Sequence, residues 1–282
     1  MENGVTISLA KKVGIVVKQK VLEAQKLADQ TVEFLRTQSI ETLSGPTDNL
    51  IQKCDFIIVL GGDGTFLSVA RRMIKRSIPI LGVNMGQLGF LTEIKKSELF
   101  QKLSRALRGG LQISERALLE CTLKRNQKAI SKTIVVNDVV ISKGAIARIF
   151  DMQVSVDKLL VSNIKADGLI VSTPTGSTAY CLAASGPLVE PSVPAMVIVP
   201  VCPHSLTLRP LVIRDNSMIT VIPQYKSGNV ILTLDGQTSY ELKSKDEVKI
   251  TKFKKHTLKI FHTKERDYFS LLREKLKYGY RD

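Results

Sequence analysis

Gly61-Gly62-Asp63-Gly64-Thr65 sets a carboxylate and a hydroxyl among three glycines, immediately after the apolar run Phe56–Leu60. Glycines where a chain leaves a sheet let main-chain N–H groups approach a ligand closely and adopt positive φ. Beyond Thr65, Phe66, Val69, Ala70, Met73 and Ile74 recur at helical spacing, which places Gly64 and Thr65 near a helix N-terminus. There, unpaired N–H groups and the helix dipole favour anions, so the stretch predicts a phosphate cradle with Asp63 inside it. The same residues can form a mere β-to-α turn. An aspartate between glycines at the carboxyl end of a strand nevertheless stands where open α/β sheets bind ligands. Neither G-x-x-x-x-G-K-S/T nor G-x-G-x-x-G occurs, which argues against a P-loop NTPase and a standard Rossmann dehydrogenase.

Asp167 to Tyr180, DGLIVSTPTGSTAY, is an acidic turn, a buried strand and then hydroxyls and a glycine opening a helix. One hydroxyl suffices for a cap, and the surplus favours contacts to phosphate or ribose. Asn137-Asp138 interrupts the apolar run Ile134–Ile141; the pair either closes a turn or holds a ligand's polar groups, and by itself reads as a turn. Phe90, in the loop Met85–Leu91, is a candidate ring for stacking on a base, although composition favours Leu88, Phe90 and Leu91 as a plug under the loop. His204 by itself reads as a hydrogen-bonded structural residue. With three histidines in the chain there is no metal-ligand cluster.

The elements that must position these groups come in two textures. Strands at Val13–Val17, Ser39–Leu43, Phe56–Leu60 and Ile78–Asn84 alternate with helices carrying Val21, Ala24, Ala28, Val32 and Leu35 on one face, then the helix after Thr65, then Ser97–Arg108. That alternation predicts a three-layer parallel-sheet α/β domain. From Leu118 on, the runs Leu118–Lys124, Ile134–Ser142, Met152–Val156, Leu169–Thr173, Met196–Val201, Met218–Ile222, Val230–Leu234, Val248–Thr251 and Leu258–Phe261 predict an all-β sandwich with one helical interruption, Ser177–Ala184. The last segment, Asp267–Tyr280, carries Phe269, Leu272, Leu276 and Tyr280 on one helical face and is expected to cover the first domain.

A chain of 282 residues accommodates two cores of ordinary size. No apolar stretch reaches the ~18 residues of a membrane span and no signal peptide opens the chain, so a cytoplasmic location is expected. Cys54, Cys121, Cys181 and Cys202 are scattered and read as reduced thiols. The net charge of +15 raises nucleic-acid binding as a second function class, but the lysines and arginines are dispersed and aromatics are 5%. Attraction of polyanionic small molecules accounts for the same excess.

Gly61 to Thr65, Gly86 to Leu91, Asn137-Asp138, Asp167 to Tyr180 and Pro203 to Leu206 with Arg209-Pro210 together resemble the NAD kinases in order and spacing, over most of the chain. GGDGT alone is shared with lipid kinases and, in related form, phosphofructokinases, so a diacylglycerol- or sphingosine-type kinase is the alternative of the same chemistry. The resemblance implies an α/β N-terminal domain (1–115 with the returning 262–282) carrying GGDGT and the ATP phosphates, and an all-β NAD-binding domain (116–261). The implied reaction moves the γ-phosphoryl group of ATP to the adenosine ribose 2′-hydroxyl of NAD. Asp63 would be the general base or orienter, and Gly61, Gly62, Gly64 and Thr65 would hold phosphates. Asp63, Gly64, Phe90, Asn137, Asp138, Lys165, Asp167, Thr178, Ala179, Tyr180 and His204 would line or lie near the NAD site. Mg²⁺ or another divalent cation would ride on ATP rather than in a protein cage. A homodimer or homotetramer is implied, with neither nucleic acid nor membrane as partner. Lys165 stands where an arginine is frequent, and Cys181, Ala183 and Ser185 where many bacterial relatives carry Ser, Ser and Gly.

Overall fold

A computed structural model of the chain describes residues 10–73, 76–144, 149–263 and 265–279. Ile74 and Tyr280, both assigned to helical faces from the sequence, lie outside the described residues. The chain forms two compact units, one reaching to Arg116 and resuming at Leu258, the other Ala117–Thr257.

The first unit starts with β1 (Lys12–Val17), α1 (Leu22–Thr37), β2 (Glu41–Leu43), α2 (Thr47–Lys53), β3 (Phe56–Gly61), α3 (Asp63–Ala70) and β4 (Ile80–Asn84). Then come β5 (Ile94–Lys95), α4 (Leu99–Leu107) and β6 (Gln112–Arg116). The strands run parallel in the order β2-β1-β3-β4, with β5 beside β4. β3 is buried along its whole length, as a strand covered on both faces must be. Leu27, Ala28 and Leu35 of α1 and Leu99, Leu103 and Leu107 of α4 share a core with Phe56, Ile58, Leu60, Leu81 and Val83. Leu50 of α2 and Phe66 of α3 crowd Gly14 and Gly82, where a Cβ would lie 3.3 Å from Leu50 Cβ and 3.0 Å from the Phe66 ring. The buried stripe of α1 is Ala24, Leu27, Ala28, Thr31 and Leu35, rotated from the expected one, and Val32 is 40% exposed.

The second unit contains β7 (Leu119–Arg125), β8 (Lys128–Val135), β9 (Asp138–Lys143), β10 (Phe150–Val156), β11 (Leu159–Ala166) and β12 (Gly168–Ser172). After the one-turn α5 (Tyr180–Ala183) it continues with β13 (Ala195–Val201), β14 (Leu211–Arg214), β15 (Ile219–Gln224), β16 (Val230–Leu234), β17 (Thr238–Leu242) and β18 (Glu247–Lys252). Two six-stranded antiparallel sheets, β11-β10-β15-β18-β7-β8 and β14-β13-β12-β9-β16-β17, enclose one apolar core. Cys181 of α5 and Val189 cover the outer face of the second sheet at Val140, Ile170, Val197 and Val199. Burial pushes the thiols of Cys54 and Cys181 up to about 11 and that of Cys121 to about 12, whereas Cys202 is exposed.

The chain then returns. β19 (Leu258–His262), which its pattern had assigned to the all-β part, inserts between β4 and β6, parallel to the former and antiparallel to the latter. The first sheet is therefore mixed, not purely parallel. Leu258, Ile260 and Phe261 are buried there, and Phe261 meets Phe56 edge to face at 5.2 Å. Asp267 caps the following α6 (Tyr268–Leu276) by accepting from Ser270 N at 2.7 Å. The buried residues of α6 are Leu271 and Leu272; Phe269, expected on its apolar face, is 60% exposed.

Candidate active site

In the first unit the β3–α3 turn and the β4–β5 loop are joined through one carboxylate. Asp63 is the first residue of α3, and no side chain caps that helix at Gly62. Oδ1 of Asp63 accepts from Leu91 N (3.2 Å), Thr92 N (3.1 Å) and Thr92 Oγ1 (2.9 Å), and Oδ2 accepts from Phe90 N at 2.9 Å. Asn84, the last residue of β4, donates to Thr92 Oγ1 at 2.9 Å and accepts from Gly86 N at 2.7 Å, so it pins both ends of the loop. The approach leaves no room for a side chain at Gly89, whose Cβ would lie 1.9 Å from Asp63 Oδ1. Thr92, for which the sequence carries no signal, is fully buried and supplies two of the four donors of this clamp.

The glycines of the turn differ from expectation. Gly61, Gly62 and Gly64 are absent from the positive-φ residues, so the turn does not need their left-handed freedom. Gly61 is required by packing, since its Cβ would lie 2.6 Å from Thr65 Oγ1. At Gly62 and Gly64 a Cβ would meet no atom of the described residues within 4 Å. Internal packing gives no reason for glycine at those two positions, and the bare backbone leaves the α3 N-terminus open to a ligand. Phe90 is half-buried and not the plug that composition favoured; Leu91 is the buried one, and Lys275 Nζ lies 5.1 Å from the Phe90 ring centroid.

In the second unit Asn137 lies in the break between β8 and β9, and Asp138 begins β9. The break is held by Asp235, whose buried carboxylate accepts from the N–H groups of Val136, Asn137 and Asp138 at 2.7–3.2 Å. Asp235 and Gly236 have φ of +51° and +63° in the β16–β17 hairpin. Asp-Gly after an apolar run is a hairpin signature, and it was the available signal for this residue. Burial first, then the Asp235 charge, pushes the Asp138 carboxyl up to about 7, partly offset by a main-chain hydrogen bond at Tyr180. Asn137, Asp138, Ala179, Tyr180, Asp235 and Gly236 line a cavity of 390 Å³.

Most hydroxyls of the Asp167–Tyr180 stretch are consumed internally. Thr173 Oγ1 donates to Val136 O, Ser177 Oγ to Val189 O and Thr178 Oγ1 to Thr175 O. Thr175 Oγ1 and Asn137 Oδ1 are buried without a partner among the described residues, the condition of groups that await a ligand or water. The expected helix at Ser177–Ala184 is a 3-10 turn, Thr175–Thr178, followed by α5.

Lys165, Asp167 and His204 form a separate group at the other end of β12. Asp167 pairs with Lys143 at 2.7 Å, and His204 N donates to Lys165 O at 2.9 Å. β12 pairs Gly168 with Ser142 and Ser172 with Asp138. The two groups are therefore roughly 14 Å apart, at ~3.4 Å per residue.

Residues 42–111 match the family described as the ATP-NAD kinase N-terminal domain, and residues 136–262 the ATP-NAD kinase C-terminal domain. The NAD kinase of Geotalea daltonii is 42% identical over 284 residues, 96% of this chain and 100% of that one. That of Geobacter sulfurreducens is 49% identical over 227 residues, 80% of each chain. Among solved structures, an NAD kinase from Archaeoglobus fulgidus in complex with ATP superposes with a TM-score of 0.79 at 26% identity, covering 93% of this chain and 99% of that one. Yeast NADH kinase complexed with NADH shares the fold at a TM-score of 0.91 and 24% identity, over 98% of this chain and 90% of that one. With both halves matched in order and relatives aligned over nearly their whole length, this chain belongs to the NAD kinase family.

Proposed function

We propose that the chain transfers the γ-phosphoryl group of ATP to the adenosine ribose 2′-hydroxyl of NAD, with Asp63 receiving the hydroxyl proton. The observation that carries this reading is the unequal loading of the Asp63 oxygens. An ionised carboxylate offers about four lone-pair directions, two on each oxygen. Oδ1 already takes three donors, whereas Oδ2 takes one. Oδ2 therefore keeps an acceptor direction for a sugar hydroxyl, and the main-chain grip fixes where that direction points. Phosphoryl transfer depends mainly on positioning and charge neutralisation, so a rigidly aimed acceptor is the contribution this residue can make.

Gly61, Gly62, Gly64 and Thr65 hold the donor's phosphates through the N–H groups that open α3. Among the described residues no three His, Cys, Asp or Glu side chains are grouped to hold a metal. A divalent cation, Mg²⁺ first, would be carried on the ATP phosphates, where it would neutralise their charge. Phe90, Asn137, Asp138, Lys165, Asp167, Thr178, Ala179, Tyr180 and His204 are the proposed NAD contacts. We add Thr175, whose buried hydroxyl has no partner among the described residues.

A homodimer or homotetramer in the cytoplasm completes the proposal. Support comes from exposed Leu159, Leu160 and Val161 on β11 and Leu211 and Val212 on β14, both sheet edges. No helix among the described residues is long and apolar enough to cross a membrane. The test is incubation of the purified chain with ATP, Mg²⁺ and NAD, followed by an NADP-specific coupled assay. NADP is the expected product, and its absence would overturn the reading.

A further inference from the structure

The loop that grips Asp63 is anchored unevenly. Leu91 and Thr92 are buried and Asn84 ties both ends of the loop, whereas Phe90 is only half-buried. Yet Phe90 N is the donor to Oδ2, the oxygen that keeps an acceptor direction for the sugar hydroxyl. A residue with fewer buried contacts opens more readily than its neighbours, so a further contact to the Phe90 ring acts directly on that N–H. The contact comes from the far end of the chain. Lys275, an exposed residue in the last turn of α6, places Nζ over the Phe90 ring, 5.1 Å from its centroid. That is inside the roughly 6 Å at which the negative face of an aromatic ring attracts a cation.

The lysine stands on a fixed platform. Leu271 and Leu272 bury one side of α6, and Asp267 caps its start. Arg266, just before the helix, donates to Glu93 O and to both oxygens of Glu98, and Glu274, beside Lys275, pairs with Lys95 at 3.5 Å. Glu93, Lys95 and Glu98 follow directly on Thr92 in the chain. The helix is therefore fastened to the stretch that continues the clamp, and Lys275 reaches back from it to Phe90. A ring has two faces. With the ammonium on one of them, a base stacked on Phe90 takes the other, so the lysine also selects the side of the ring on which an acceptor nucleotide lies.

We propose that Lys275 is a positioning residue for the phosphoryl transfer: by holding the Phe90 ring it keeps Phe90 N on Asp63 Oδ2 and leaves one ring face to the base of NAD. The proposal rests on the reading of the chain as an ATP-dependent NAD kinase. Kinetics and amide hydrogen exchange of the full chain test it in Lys275→Met, which removes the charge at similar length, and in Lys275→Arg, which keeps a cation able to lie over the ring. Lys275→Met is expected to lower kcat/KM for NAD by about two- to five-fold, the worth of one such contact at an exposed site, and to leave KM for ATP at its wild-type value. Exchange at Phe90–Thr92 is expected to quicken by a similar factor. Lys275→Arg is expected to behave as wild type in both measurements. In a Phe90→Leu background, Lys275→Met is expected to cost nothing further. If the wild type makes NADP but Lys275→Met keeps its kinetics, or its loss persists undiminished with Phe90→Leu, or Lys275→Arg fails to restore it, the lysine does not act through the ring and this inference falls while the kinase reading stands. If the wild type makes no NADP, the kinase reading fails and takes the inference with it.

Discussion

Asp63 holds a loop in place and is proposed to take a proton, and the two roles are separable by substitution. Asp63→Asn removes the charge and sets an amide donor against main-chain donors, so kcat is expected to fall by about 10²–10⁴, read as NADP formed per enzyme. Thr92→Val keeps the carboxylate but deletes one of its donors and strands Asn84, costing about 1–3 kcal/mol of stability in urea unfolding. If both variants lost activity equally and unfolded equally early, Asp63 would be only a loop anchor. Gly89→Ala is expected to cost activity comparably to Asp63→Asn, because its Cβ would fall 1.9 Å from Oδ1 and force the carboxylate aside. Asp138 adds a pH dependence. Its folded pKa of about 7 lies above the usual 3.8, so the folded protein holds a proton that the unfolded chain releases. The resulting stability is fully present below about pH 4 and is lost as pH rises to about 7. Thermal melting across that range should show Asp138→Asn with a flatter profile and, above pH 7, a higher Tm relative to wild type.

Complete burial made β3 the most legible element, and most of the strands that went unread lie at sheet edges. The run Phe56–Leu60 announces a fully buried strand, and β3 is one. In the second unit the strands that went unread, β11, β14 and β17, are all at sheet edges, and its remaining edge, β8, was read only at its last two residues; in the first unit the edge strand β6 and the two-residue β5 also went unread. An edge strand has one open side and a weak alternation, as the burial of Leu159–Ala166 shows. The short α2 was also missed, since seven residues give little periodicity. The clamp around Asp63 had no local signal, because its donors at residues 90–92 are fixed by tertiary approach. Arg266 is the corresponding tie for the returning segment, donating to both oxygens of Glu98 at 2.8 and 3.0 Å. Burial pushes the Glu98 carboxyl up, but the Arg266 and Lys95 hydrogen bonds outweigh it and hold it below the ordinary range. Arg266→Ala is expected to lower stability by about 1.5–3 kcal/mol, seen as an earlier urea midpoint.

At the scale of the whole molecule, the division into an α/β and an all-β part follows from the change of periodicity near Leu118. The place of β19 does not, because Leu258–His262 looks like any other short apolar strand and only the gap between β4 and β6 gives it an address. Leu159, Leu160, Leu211 and Val212 form the apolar edge that a single chain leaves uncovered. With Leu160→Glu and Val212→Glu combined, light scattering is expected to give the mass of one chain where the wild type gives a multiple. An unchanged mass would remove these edges from the assembly. The distribution of thiols has a practical consequence as well. Three are buried and hard to ionise, and Cys202 alone is exposed, two residues before His204. A maleimide dye added to the folded protein is therefore expected to attach at a single position next to the proposed NAD contacts, and its fluorescence to change on addition of dinucleotide without any mutagenesis.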